Sequence, residues 1–204
     1  MARDFHWSID AVPNFRRLMI FIDGENLVMR YQDMVKKGWE ARTDEVLYIP
    51  DSVIWHSTFS QGIAMNEVLR ATYYTYVIGD SDKVTRVENA IKNLQFNKHR
   101  NSTLPSQITP QVFKKENRSA KGKGVDIALV VDMLSHVHAD NIDAVMLLSG
   151  DGDYAPLIRE VQRCGKQCYV SAFSLGLNPR LPIIADSFNS LDSSMFVSGP
   201  KGPV

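Results

Sequence analysis

Apolar positions along this chain fall into short continuous runs and longer periodic stretches. Leu18-Met19-Ile20-Phe21-Ile22 is continuous and of strand length, the pattern of a strand covered on both faces. Asp23-Gly24-Glu25-Asn26 ends it as a turn, and Leu27 to Lys36 reads as a short helix. Leu69 to Val77 is rich in β-branched and aromatic residues and predicts a second strand, closed by Gly79 and Asp80. Val84, Val87, Ala90, Ile91 and Leu94 then recur at helical spacing. Ile108 to Phe113 reads as a further strand, and Val125 to Val137 as a helix so apolar all round that it should be buried. Ala144 to Leu148 is another interior strand. A helix over Ala155 to Arg163 follows, with Pro156 in its first turn and Gly165 as its terminator. Gln167 to Phe173 predicts a strand and residues 182–191 a last helix. Gly38 and Pro50 mark an excursion from the main fold, after which Asp51 is placed to cap a helix through Phe59.

Strands alternating with helices predict an α/β fold: a mostly parallel sheet flanked by helices, in a single domain. Residues 1–16 read as a lead-in, 17–192 as the domain and 193–204 as a tail. There is no internal repeat.

Composition narrows the function classes. The 204 residues are 44% hydrophobic, and 23 Lys+Arg balance 23 Asp+Glu, which argues against coating nucleic acid or a membrane by global charge. No apolar run approaches the ~20 residues of a membrane helix, and Met1 to Trp7 lacks the apolar core of a signal peptide. Cys164 and Cys168 read as free thiols, one at a helix end and one on the next strand. A cytoplasmic protein is the expectation.

The local charge pattern is more informative than the total. Val125 to Ile158 holds six aspartates (126, 132, 140, 143, 151 and 153) and no Lys or Arg. Just before it, Lys114, Lys115, Arg118, Lys121 and Lys123 oppose only Glu116. In an open parallel sheet the ligand crevice lies beyond the carboxyl ends of the strands. Two interior strands end there in acids: Asp23, with Asn26 three residues on, and Asp151 with Asp153. Asp126 opens a helix after the Lys121-Gly122-Lys123-Gly124 loop. Carboxylates crowded together raise one another's pKa unless a cation neutralises them, and Mg²⁺ or Mn²⁺ suits oxygen ligands better than zinc. No thiolate or histidine ligand set stands out; His136 and His138 read as surface or packing residues. Each acid also has a plainer role, as a helix cap or a turn residue, and the lysine-glycine loop as a solvated linker. Asp132 faces away from Asp126 on the helix and reads as structural.

These residues resemble a known family. Phe21-Ile22-Asp23-Gly24-Glu25-Asn26, Lys123-Gly124-Val125-Asp126 and Leu148-Ser149-Gly150-Asp151-Gly152-Asp153-Tyr154 are similar, in order, to the three signatures of NYN domains, closest to the LabA-like group of the PIN-like superfamily. The resemblance runs from about residue 17 to about 192. It implies a Rossmann-like (PIN-like) parallel sheet, an acidic pocket for Mg²⁺ or Mn²⁺, and ribonuclease activity. Asp23, Asp126, Asp151 and Asp153 match the family's acidic metal ligands and would carry catalysis. Asn26 matches an asparagine that would orient a ligand or water, and Ser149 a serine that would bond phosphate or a carboxylate.

The expectation is therefore a metal-dependent phosphodiesterase acting on RNA, single-stranded RNA being favoured. Lys121 and Lys123 would grip backbone phosphates, with Lys114, Lys115 and Arg118 further out. Tyr154 would either stack a base or pack. RNA rather than DNA rests on the resemblance alone. Two alternatives stand beside this reading: a regulatory or RNA-binding protein that keeps the fold without cleaving, and a small-molecule phosphoesterase. A P-loop signature is absent, and Glu25 stands where a dehalogenase-type phosphatase has its second Asp.

Overall fold

The computed structural model describes residues 15–44, 46–60, 65–96, 106–115 and 123–200. Its centre is a six-stranded sheet in which every pairing is parallel. Chain order runs β1 (Arg16–Asp23), α1 (Gly24–Lys36), β2 (Glu40–Ala41), β3 (Leu47–Ile49), β4 (Val53–Trp55), β5 (Asn66–Ile78), α2 (Ser81–Lys92) and β6 (Ile108–Lys115). It continues with α3 (Lys123–His138), β7 (Ala144–Leu148), α4 (Ala155–Arg163), β8 (Gln167–Ala172), α5 (Leu181–Ile184), β9 (Ser187–Ser190), α6 (Asp192–Met195) and β10 (Phe196–Ser198). The sheet order is β6-β5-β1-β7-β8-β9. The chain thus builds outward from β1 in one direction, returns, and builds outward from β7 in the other. That reversal leaves a crevice at the carboxyl ends of β1 and β7, the place where open α/β sheets bind ligands.

Strand β1 explains why its sequence is apolar without interruption. Leu18, Ile20 and Ile22 join a core with α1, α2 and the β3–β4 hairpin, while Met19 and Phe21 join a second core with α3 and α4. Alternate side chains serve opposite faces, and both faces are covered. β7 divides in the same way, with Ala144, Met146 and Leu148 on one side and Val145 and Leu147 on the other. Among the described residues no helix is long and apolar enough to cross a membrane.

Three sequence expectations need correction. Asp51 caps no helix: it sits in the turn of the antiparallel β3–β4 hairpin with φ +60°, and Val53, Ile54 and Trp55 are buried strand residues. Residues 182–191 are not one helix. After the short α5, Asp186 accepts from the Cys168 backbone N–H at 2.7 Å, and Ser187–Ser190 adds a sixth strand beside β8. α3 is also not enclosed. Val125, Leu129, Met133 and Val137 form one buried stripe at four-residue spacing, whereas Ile127 and Val131 are 60% and 59% exposed. A helix lying on one sheet face covers only one stripe.

Gly24 shows how tightly α1 follows β1. Its φ is not left-handed; the constraint is space. A Cβ there would fall 2.2 Å from Tyr73 Cε1 and 2.8 Å from the Tyr74 carbonyl oxygen. The Tyr73 ring cannot swing aside easily, because its hydroxyl donates to the Ile54 carbonyl and accepts from the Ile54 N–H. Gly24→Ala is expected to destabilise the fold by about 1–3 kcal/mol through overpacking, measured as a lowered urea midpoint; an unchanged midpoint would show that Tyr73 yields.

Candidate functional site

The crevice is built by two strand ends and the turns that follow them. Asp23 ends β1 and is 3% exposed; Ser149, just past β7, is fully buried. The Ser149 hydroxyl donates to Asp23 Oδ2 at 2.8 Å and accepts from the Asp151 N–H at 3.1 Å. Asp23 Oδ1 accepts from the Asn26 N–H at 3.1 Å and so caps α1. The Asn26 side-chain oxygen returns across the crevice to accept from the Gly150 N–H at 3.1 Å. Asp151 Oδ1 in turn accepts from the Asp153 N–H at 3.0 Å, capping the short 3₁₀ turn Gly152–Tyr154. One chain of hydrogen bonds therefore joins Asn26, Asp23, Ser149, Asp151 and Asp153 across the reversal point. The plainer capping roles are real for Asp23 and Asp151, and they coexist with this link.

Asp126 enters from the first turn of α3, where the N–H-rich helix end favours a carboxylate. The Tyr154 hydroxyl donates to its Oδ1 at 3.4 Å. Tyr154 is buried, so it positions Asp126 and is not available as a stacking surface. Burial pushes the Asp23 carboxyl up to about 7, against the downward pull of the Asn26 and Ser149 hydrogen bonds; the charges on Asp126 and Glu25 push it further up. Although residue 126 as a whole is exposed, its carboxyl lies against Tyr154, and lost hydration leads an upward shift there too. The Tyr154 hydrogen bond opposes that shift, Asp151 and Asp153 add to it, and Lys115 counters it.

Asp23, Asp126, Asp151 and Asp153 thus share one electrostatic neighbourhood, with Asp126, Asp151 and Asp153 open to solvent. No three of them bring carboxylate oxygens all within 4.8 Å of one another. What fits a hard divalent ion here is the donor chemistry alone, carboxylate oxygens being the ligand class that suits Mg²⁺ or Mn²⁺. Lys121 and Arg118 lie outside the described residues, as does the side chain of Lys123, which opens α3. Lys114 is exposed at the carboxyl end of β6. Lys115 beside it stands 3.9 Å from Glu25 and 4.5 Å from the centre of the Tyr76 ring. Asp132 accepts from the Tyr74 hydroxyl, away from the pocket.

Sequence reasoning missed two contributors. Glu25 follows Asp23 and sets the Lys115 ammonium against the pocket; an acid beside a stronger candidate carries no separate signal. The other is the loop after β8. Asn178 donates its N–H to the Gly150 carbonyl at 3.0 Å, and a Cβ on Gly152 would lie 2.0 Å from Asn178 Nδ2. The glycines flanking Asp151 were the available sign of this close approach.

The family model for the NYN domain matches residues 17–192. The chain belongs to the NYN domain family. Its α/β architecture, a parallel sheet flanked by helices, is the PIN-like, Rossmann-like fold that the three signatures imply. This NYN domain is similar to a protein of unknown function from Vibrio parahaemolyticus, with TM-score 0.59 and 17% identity over 90% of this chain and 98% of that one. At that identity the likeness is one of fold alone. A putative oxidoreductase from Parabacteroides merdae is more distant, at TM-score 0.31 and 11% identity over 87% of this chain and 31% of that one. None of the curated proteins matches this chain.

The Asp23 environment has a pH consequence. An acid whose native pKa is above its ordinary 3.8 favours the fold while protonated. That contribution is complete below about 4 and is lost as pH climbs through about 7. Metal-free protein should lose stability from this group between those limits, and Asp23→Asn, which cannot ionise, should flatten the decline. Urea midpoints at pH 5 and 7.5 in EDTA measure it; an equal decline in both proteins would contradict the assignment.

Proposed function

We propose that this NYN domain is a divalent-metal-dependent ribonuclease that hydrolyses single-stranded RNA. Asp23, Asp126, Asp151 and Asp153 would hold Mg²⁺ or Mn²⁺. When bound, such an ion supplies Lewis acidity for the phosphoryl oxygens and lowers the pKa of water. The remaining work belongs to the protein. Ser149 fixes the Asp23 carboxylate and the Asp151 backbone with one hydroxyl, and Asn26 ties the α1 turn to Gly150, so both are positioning residues. Tyr154 holds Asp126 toward the pocket. Lys121 and Lys123, together with Lys114 and Lys115, would hold backbone phosphates, contacts that position a strand without reading its sequence.

The observation that carries this reading is the Ser149 hydroxyl bridging Asp23 and Asp151 at the sheet's reversal point. It gathers acids where a ligand binds and holds one of them buried, an arrangement that a surface turn does not need. The choice of RNA is supported by membership of the NYN family alone, since the basic residues before α3 suit the phosphates of any nucleic acid.

The test is cleavage of labelled single-stranded RNA by purified protein with Mn²⁺ or Mg²⁺, beside EDTA and Asp151→Asn. Metal-dependent cleavage is expected, abolished by both controls, with Ser149→Ala reduced about 10- to 100-fold as for other outer-shell partners of metal ligands. RNA bound but uncut would instead favour a regulatory RNA-binding protein. Neither binding nor cleavage would point to small phosphate esters.

A further inference from the structure

The far ends of α3 and α4 carry a second group of ligating side chains. His138 is the last residue of α3, Glu160 lies near the end of α4, and Cys164 caps α4. Glu160 and Cys164 are four residues apart and so share a helix face. Glu160 Oε1 stands 4.0 Å from His138 Nε2 and 4.0 Å from Cys164 Sγ, and the three ligand atoms all lie within 4.8 Å of one another. Arg163 holds the other carboxylate oxygen, Oε2, which leaves Oε1 toward the imidazole and the thiol. Neighbouring ligands of a tetrahedral zinc ion, bound at ~2.0–2.3 Å, stand roughly 3.3–3.8 Å apart, so a contraction of at most about 1.5 Å between any two of them completes the site.

The two helix ends favour a cation independently of these side chains, partly offset by the Arg163 guanidinium on Glu160. Both helices end here, and their C-terminal carbonyls present the negative ends of two helix dipoles. Cys164 and His138 are partly open to solvent, so an ion can enter. The donor set of imidazole, carboxylate and thiolate is unsuited to Mg²⁺ and matches zinc. It is also separate from the acidic pocket. α3 spans 16 residues, about 24 Å, with Asp126 in its first turn and His138 at its last residue. His138, which reads from sequence as a surface or packing residue, thus belongs to the one such ligand group among the described residues.

We propose that His138, Glu160 and Cys164 form a zinc site with water in the fourth position, clamping the C-terminal end of α3 to that of α4. The clamp has a structural consequence for the pocket. α3 carries Asp126 at its opposite end, and α4 continues directly from Asp151, Asp153 and Tyr154. An ion joining the two far ends holds the acid-bearing ends in a constant relation.

The test uses metal-stripped full-length protein and an Asp126→Asn/Asp151→Asn variant whose acidic pocket is disabled. Zn²⁺ is titrated in competition with a chromogenic chelator, and Co²⁺ is added separately as a spectroscopic probe. One equivalent of Zn²⁺ should bind both proteins with similar affinity. His138→Gln and Cys164→Ser, each checked for native circular dichroism, should weaken binding by about tenfold or more. Co²⁺ should give a thiolate-to-metal charge-transfer band that Cys164→Ser lacks. Zinc affinity unchanged in both ligand variants, a Co²⁺ spectrum without that band, or loss of zinc in the pocket variant would each overturn the proposal. Because the readouts are binding and absorption, failure here is distinguishable from failure of the ribonuclease reading.

Discussion

A single serine hydroxyl links the acids that follow the two central strands of this molecule. β1 and β7 are adjacent parallel strands that feed helices on opposite faces of the sheet, so the chains leaving them diverge. Ser149 bridges that divergence by donating to Asp23 and accepting from Asp151. An ionised Asp23 in so dry a setting is costly without donors, and Asn26 and Ser149 supply two. The resulting strain is electrostatic: the hydrogen bonds favour the carboxylate while burial and neighbouring acids oppose it, and burial prevails. A positive ion at the crevice would reverse that balance.

The elements around the bridge act as a frame for acids. α1 begins without a spacer after Asp23, which requires glycine at position 24 against the Tyr73 ring. Tyr154 spans from the β7 turn to Asp126 on α3, coupling the two helices on the same sheet face. The zinc clamp proposed between His138, Glu160 and Cys164 would fix the same two helices at their other ends. The fold would then hold α3 and α4 at both ends, by a phenol near the pocket and by a metal far from it.

Much of this was legible in the sequence, for identifiable reasons. Strands buried on both faces are apolar without interruption, so β1 and β7 announce themselves, and a helix whose Pro156 and Gly165 mark its ends does the same. β9 was not legible because Ser187-Phe188-Asn189-Ser190 is an edge strand of mostly exposed polar residues, held by pairing to β8 and by Asp186 rather than by burial. The β3–β4 hairpin escaped because Asp51 offers the same side chain to a cap and to a left-handed turn. Local pattern also placed the acids at strand ends, but it could not tell that Ser149 links two of them. Ser149 is one polar residue in a turn, and its partner Asp23 is 126 positions away. The His138–Glu160–Cys164 group was hidden for the same reason, since two helices must pack before the three ligands meet.

The proposed ribonuclease chemistry requires the acids at the β1–β7 crevice to bind a divalent ion. Anomalous diffraction from crystals soaked in Mn²⁺ tests it most directly, because it locates the ion without relying on activity. An anomalous peak is expected among the carboxylates of Asp23, Asp126, Asp151 and Asp153. A well-ordered crevice with no peak at saturating Mn²⁺ would contradict it.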